Sequence, residues 1–255
     1  MPYETTVPSS PQMAVFSLKS LLIASLLVIL IGAAFFSHPA GRWTMRWILG
    51  RTQKRTVESV VRHLEPKMRQ RFGKKLALWT DGQPLALLAF KHEQRLELWK
   101  KRGSRWHKIR SYPFTAFSGR IGPKLREGDL QIPEGIYKLT FLHPNSQFYL
   151  SLKINYPNAY DRQQARLDKR THLGGEIFIH GDAVTIGCVP IGDDAIEEVF
   201  YIVAQNGQYR NNRVIFAPYD LRKKAKPALQ TPALPWLADL YTRIARALEP
   251  YRSTP

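Results

Sequence analysis

The chain is poor in cysteine and in acid. Cys188 is the only cysteine among 255 residues, so an intramolecular disulfide and a multi-thiolate metal site are both excluded. His38, His63, His92, His107 and His143 fall in no metal-ligand spacing, and the acidic pair Asp193-Asp194 reads as a helix cap, so no metal or other cofactor is expected. His172 reads as a surface-loop residue. Acidic residues number 20 against 38 Lys and Arg, a formal charge of +18. The excess is local. Residues 37–127 hold 22 basic against 6 acidic side chains, whereas residues 128–220 hold 8 against 11. A basic region of this kind suits an anionic lipid or polymer surface. No helix-turn-helix, zinc-finger or RNA-recognition pattern accompanies it, so nucleic acid is not an expected partner.

Only one long apolar run is present, at residues 14–36, with Lys19 its sole charge. Residues 1–13 before it are polar, rich in Pro and Ser, and expected to be disordered. The run is long enough for a membrane anchor, and it also fits a signal segment with a cleavage site near Gly32-Ala33-Ala34. Arg42, Arg46, Arg51, Lys54 and Arg55 follow it, a bias that would hold the large domain in the cytoplasm.

Residues 37–73 form a basic juxtamembrane region. Val57, Val60, Val61, Leu64, Met68 and Phe72 recur at helical spacing, with Pro66 predicting a break and Gly73 an end. From residue 74 the period shortens. Strands are expected at 76–79, 85–91, 95–99, 106–112, 136–142, 148–156, 177–180 and 213–216. One helix lies among them, at 194–204, with Asp194 and Glu197 as its capping box. These elements predict a mostly β domain over 74–220, a sandwich or distorted barrel with one packed helix. Residues 221–255 read as a Lys/Pro-rich linker and an amphipathic C-terminal helix carrying Leu237, Leu240, Tyr241, Ile244 and Leu248.

The candidate site is the stretch 175–190. His180 ends an apolar strand, and Cys188 follows it by eight residues, directly after Gly187. A thiol nucleophile needs a base within reach and amide donors for an oxyanion. In that reading His180 takes the proton of Cys188, its second nitrogen held by a backbone carbonyl such as that of Gly181. Gly187 turns the chain so that its own amide and that of Cys188 face the oxyanion. Thr185 hydrogen-bonds within the loop. The alternative is a buried cysteine used as a small hydrophobe. Tyr156 and Asn158, in Tyr156-Pro157-Asn158, are candidates for the cleft wall, although the tripeptide is also a turn.

The run Ile179-His180-Gly181 with Gly187-Cys188 resembles the active-site signature of L,D-transpeptidases of the YkuD type, and is most similar to their YafK-like branch. Supporting stretches are Ser118-Gly119-Arg120-Ile121-Gly122-Pro123-Lys124, Glu127 to Tyr137, Tyr156-Pro157-Asn158 and Asp161-Arg162. The likeness covers residues 75–220. It implies a YkuD-like fold and a Cys188 thioester formed on a peptidoglycan stem peptide, resolved by an amine in crosslinking or by water in hydrolysis. The YafK-like branch adds amidase release of peptidoglycan-linked lipoprotein. Ile186 stands where the typical loop has His, and Pro190 where it has Arg or Asn, which weighs against crosslinking. A reading of another class is a non-catalytic, membrane-tethered basic module that binds cell-wall polymer. The resemblance also implies an exported, periplasmic domain, anchored through 14–36 or released from a cleaved signal, against the charge bias noted above.

Overall fold

The computed structural model describes residues 54–207, 209–223 and 233–252. The expectations for residues 1–13 and 14–36, and for 37–53 of the juxtamembrane region, lie outside the described residues. Among the described residues no helix is long and apolar enough to cross a membrane.

The first helix, α1 (Val57–Phe72), begins at a reciprocal cap: the Thr56 hydroxyl accepts from Ser59 N at 3.1 Å, and the Ser59 hydroxyl accepts from Thr56 N at 3.0 Å. Val60, Leu64, Met68 and Phe72 form its buried stripe. The break expected at Pro66 does not occur. Arg62 and Pro66 are exposed, so the Arg62 carbonyl that Pro66 leaves unbonded is within reach of water, while the buried stripe holds the helix on the core. Residues 76–79, expected as a strand, belong instead to a short helix α2 (Lys75–Trp79), whose Trp79 packs edge-on to Phe72 with ring centroids 4.8 Å apart. A run of four mostly apolar residues has too little length to reveal its period.

Eight strands follow: β1 (Leu85–Phe90), β2 (Arg95–Arg102), β3 (Arg105–Pro113), β4 (Gly135–Ser146), β5 (Tyr149–Ile154), β6 (Phe178–His180), β7 (Val189–Pro190) and β8 (Arg213–Ala217). They form one mixed sheet in the order β3-β2-β1-β8-β4-β5-β6-β7. The expected mostly β domain is present, and of its two expected forms, sandwich or distorted barrel, a single sheet excludes the first. One sheet serves because β4, twelve residues long, pairs with β8 through Gly135 to Lys138 and with β5 from Leu139 onward. The sheet curls until its two edges touch: Thr115 N, just past β3, donates to Pro190 O of β7 at 3.0 Å.

Inside 74–220 the single expected helix is joined by α2 and by a further helix at Ala159–Leu167, while the helices expected on either side of the domain pack on its sheet. Both α1 and α4 (Asp193–Gln205) pack on one face, with Leu85, Leu87 and Ala89 of β1 and Val214 and Phe216 of β8. On the other face Ala86, Leu88 and Phe90 meet α5 (Leu237–Leu248), which buries Leu237, Leu240, Ile244 and Leu248. Burial on both faces explains why β1 reads as an unbroken apolar run. The expected capping box at α4 does not form either. Gly192 is the cap residue, and Asp194 and Glu197 both hold Lys67 of α1, at 2.6 and 2.5 Å. Arg222, read as linker, is anchored by Asp220, Glu97 and the Tyr251 carbonyl. A fifth helix, α3 (Ala159–Leu167), was not expected.

Candidate active site

His180 and Cys188 come together through strands β6 and β7. These pair in parallel, with Ile179 opposite Val189 and His180 opposite Pro190. Alternation therefore puts Ile179 and Val189 into the core, and Phe178, His180, Cys188 and Pro190 onto the other face. Cys188 thus occupies the position diagonal to His180 on the neighbouring strand. The β5 residues opposite His180 and Phe178 are Ser151 and Lys153, which share that face.

His180 is buried, its ring 4.7 Å from that of Phe148 between centroids. Nδ1 lies 2.5 Å from Gly181 O. A carbonyl only accepts, so Nδ1 carries the proton and Nε2 is left as the base. Burial pushes the imidazole below its ordinary range, with the Gly181 bond and the Asp182 charge opposing. Gly181 has no room for a side chain: a Cβ there would lie 2.6 Å from Asp193 Oδ1 and 3.0 Å from Phe148 O.

Cys188 is half-buried. Its Sγ lies 3.7 Å from Glu176 O, and among the described residues no hydrogen bond joins it to His180. Burial pushes the thiol up; the Phe178 backbone and Lys124 pull it back, and Glu176 adds to the rise. At rest the pair is therefore a neutral imidazole beside a protonated thiol. The consequence is a testable pH dependence. Alkylation of Cys188 by iodoacetamide should keep rising beyond about pH 8.5, the ordinary thiol midpoint, because only the thiolate reacts. Turnover assisted by His180 should fall only below about pH 6.5, where a depressed imidazole finally protonates. An alkylation midpoint near neutrality would instead reveal a thiolate–imidazolium pair.

The loop between the two residues is tied by Thr185. Its Oγ1 accepts from Gly187 N at 3.1 Å and Cys188 N at 2.9 Å, and donates to Cys188 O at 2.8 Å. The expectation for Thr185 as a loop residue agrees with this. The expectation that the Gly187 and Cys188 amides are open to an oxyanion does not: any oxyanion that uses them must displace the Thr185 hydroxyl. Gly187 sits at φ +132°, and a Cβ there would lie 3.0 Å from Gln131 O, so the loop rests against the segment around Gln131. Ile186 is 78% exposed at the loop tip.

The two cleft candidates both hold backbone in place, and Tyr156 also lines an open cavity together with Lys153 and Arg162. Tyr156 is buried, its hydroxyl donating to Leu173 O at 3.2 Å and Lys124 O at 3.4 Å, so it braces two loops. Asn158 caps α3: its Oδ1 accepts from Asp161 N at 3.0 Å, and its Nδ2 donates to Ile136 O at 3.0 Å. Both ends of that amide are occupied. Three residues escaped the sequence reading: Glu176, whose carbonyl meets Sγ, Lys124, whose charge acts on the thiol, and Lys153, the ion-pair partner of Glu176. The alternation of β5 was the available signal for Lys153. Among the described residues no group of His, Cys, Asp and Glu gathers as a metal site.

Residues 84–224 match the L,D-transpeptidase catalytic domain family, YkuD. The chain belongs to that family. It is 38% identical over 124 residues to YafK of Escherichia coli (strain K12), which carries an L,D-transpeptidase name, and equally to YafK of strain O157:H7. The match takes in 48% of either chain, so this chain spans about half the length of the curated relatives it matches. Among solved structures, the helical cell shape determining protein Pgp2 of Campylobacter jejuni aligns at 21% identity and a TM-score of 0.43, over 57% of this chain and 56% of its own. L,D-transpeptidase 1 of Mycobacterium tuberculosis aligns at 11% identity and a TM-score of 0.32, over 53% and 62%. Family membership rests on the sequence match, which contains both Cys188 and His180.

Proposed function

We propose that the protein is a cysteine acyl-transfer enzyme acting on peptidoglycan stem peptides, with Cys188 the nucleophile and His180 the base. The observation that carries the reading is the shared face of β6 and β7, where a half-buried thiol lies diagonal to an imidazole whose Nδ1 is fixed and whose Nε2 is free to accept a proton. His180 Nε2 takes the thiol proton as Sγ attacks a peptide carbonyl. The C–N bond then breaks, the leaving amine takes that proton, and a thioester remains. An amine or a water next attacks the thioester, losing its proton to His180, and the thiolate leaves to recover it.

Hydrolysis is the second reading, in the form of release of peptidoglycan-linked lipoprotein. It is favoured by the loop, where apolar Ile186 stands exposed and Pro190 offers no amide donor. Incubation of the protein with isolated sacculi, read by mass spectrometry of the muropeptides, separates the cases. New crosslinks indicate transpeptidation, and released lipoprotein or stem fragments indicate an amidase. A profile identical to that of Cys188→Ala leaves only the non-catalytic, polymer-binding module. The peptidoglycan reading requires an exported domain, held at the membrane by residues 14–36 or released into the periplasm. A C-terminal fusion to a periplasm-active phosphatase should therefore be active, and activity confined to a cytoplasmic reporter would sink the reading.

A further inference from the structure

Around Lys153 at the end of β5 lies an open cavity of about 480 Å³, lined among others by Phe141, Asn155, Tyr156, Pro157 and Arg162. Phe141 and Lys153 are register partners across β4 and β5, and Lys153 is opposite Phe178, so the cavity opens on the face that carries Cys188. None of its lining residues is acidic, and two are cationic. Arg162 is exposed, and among the described residues no carboxylate forms an ion pair with it. Lys153 reaches out of the cavity to Glu176, whose side chain is 71% exposed. Glu176 holds a left-handed backbone, φ +52°, which costs a residue with a Cβ. Its carbonyl is the group 3.7 Å from the Cys188 thiol. One strained, solvent-exposed residue thus lays its carboxylate on the cation at the cavity mouth and its carbonyl on the nucleophile.

We propose that this cavity is a subsite for the free C-terminal carboxylate of the peptide on which Cys188 acts, with Lys153 its anchor and Glu176 its occupant at rest. The inference rests on the peptide-acting reading above. An arriving carboxylate replaces Glu176 on Lys153, and Arg162 adds the second cation. Phe141, 46% exposed, supplies an apolar wall for the adjoining side chain. Displaced from Lys153, Glu176 loses the side-chain tether that helps hold its carbonyl on the thiol, so occupancy of the subsite and release of the nucleophile are coupled.

The test uses the full chain and a soluble stem-peptide fragment in two forms, free acid and C-terminal amide. The reading is the concentration of each that halves the rate of Cys188 alkylation by iodoacetamide. The acid is expected to protect at a concentration about tenfold lower than the amide, the worth of one charge-assisted hydrogen bond. Lys153→Met should shrink that preference, and Lys153→Met with Arg162→Met should erase it. Glu176→Gln, which removes the competing carboxylate, should improve protection by the acid about two- to fivefold, the range of an exposed ion pair, and leave the amide unmoved. Equal protection by both forms in the parent protein, no protection by either, or a preference undiminished in Lys153→Met would each overturn the subsite. Preferential protection without any turnover would uphold the subsite and remove the proposed reaction. Turnover with equal affinity for both forms would do the reverse.

Discussion

Replacing His180 with asparagine is expected to lower turnover of stem peptide about 10²- to 10⁴-fold at neutral pH, the usual contribution of a positioned base. The amide nitrogen of asparagine overlays Nδ1 and keeps the donation to Gly181 O, so the fold of β6 is preserved while Nε2 is lost. The size of the loss should depend on pH. With the thiol pushed up by burial, little thiolate exists at pH 7, and the base must remove the proton during attack. As pH climbs through the thiol midpoint the thiolate forms unaided, and the gap between parent and variant should narrow. Cys188→Ala should abolish turnover at every pH. Steady-state rates of both variants from pH 6 to 10 make the comparison. A His180→Asn defect constant across that range would assign His180 a positioning role and leave the base elsewhere.

The second large effect concerns stability. Lys91 and Glu134 are both fully buried, with Nζ 3.0 Å from Oε1. Lys91 Nζ also donates to Gly122 O at 2.6 Å and Ile132 O at 2.9 Å. Glu134 accepts from Gly122 N at 2.7 Å and from the Tyr241 hydroxyl of α5 at 2.9 Å. The pair therefore ties the end of β1, the segment 122–134 and the C-terminal helix at one point. Lys91→Met should cost about 3–5 kcal/mol, because it leaves a buried carboxylate without its counter-charge. Urea unfolding measures this as a fall in midpoint at unchanged slope. The double variant Lys91→Met/Glu134→Leu should regain part of the loss, since no charge is then stranded. A single-variant cost below about 1 kcal/mol would mean that water reaches the pair.

How much of this was legible in the sequence varied with element length and period. The alternation of Tyr149, Ser151 and Lys153 against Leu150, Leu152 and Ile154 marked β5 and its two faces. The stripes of α1 and α5 were equally plain. Strand β7 has two residues, too few for any period, yet it is the element that brings Cys188 beside His180. The pairing was reached from chemistry and family likeness rather than from a strand pattern. Helix α3 was hidden because its face is polar, although Asn158 and Asp161 spell its cap. Asp194 and Glu197 had capping-box spacing but answered to Lys67, 127 and 130 positions away in the sequence, a contact that no local pattern encodes. Tyr156-Pro157-Asn158 reads equally as a turn and as a cleft rim, and the structure uses it as both: Asn158 caps α3, while Tyr156 and Pro157 line the open cavity.

The match to the catalytic family begins at residue 84 and stops at 224. Helices α1 and α5 stand outside both limits, yet each closes one side of the sheet. A protein trimmed to that homology boundary would expose Ala86, Leu88, Phe90, Ile215 and Ala217 as one apolar plate, and would deprive Glu134 of the Tyr241 hydroxyl. Such a plate is an aggregation surface. The length of chain that the family match marks is thus shorter than the length that covers both faces of the sheet.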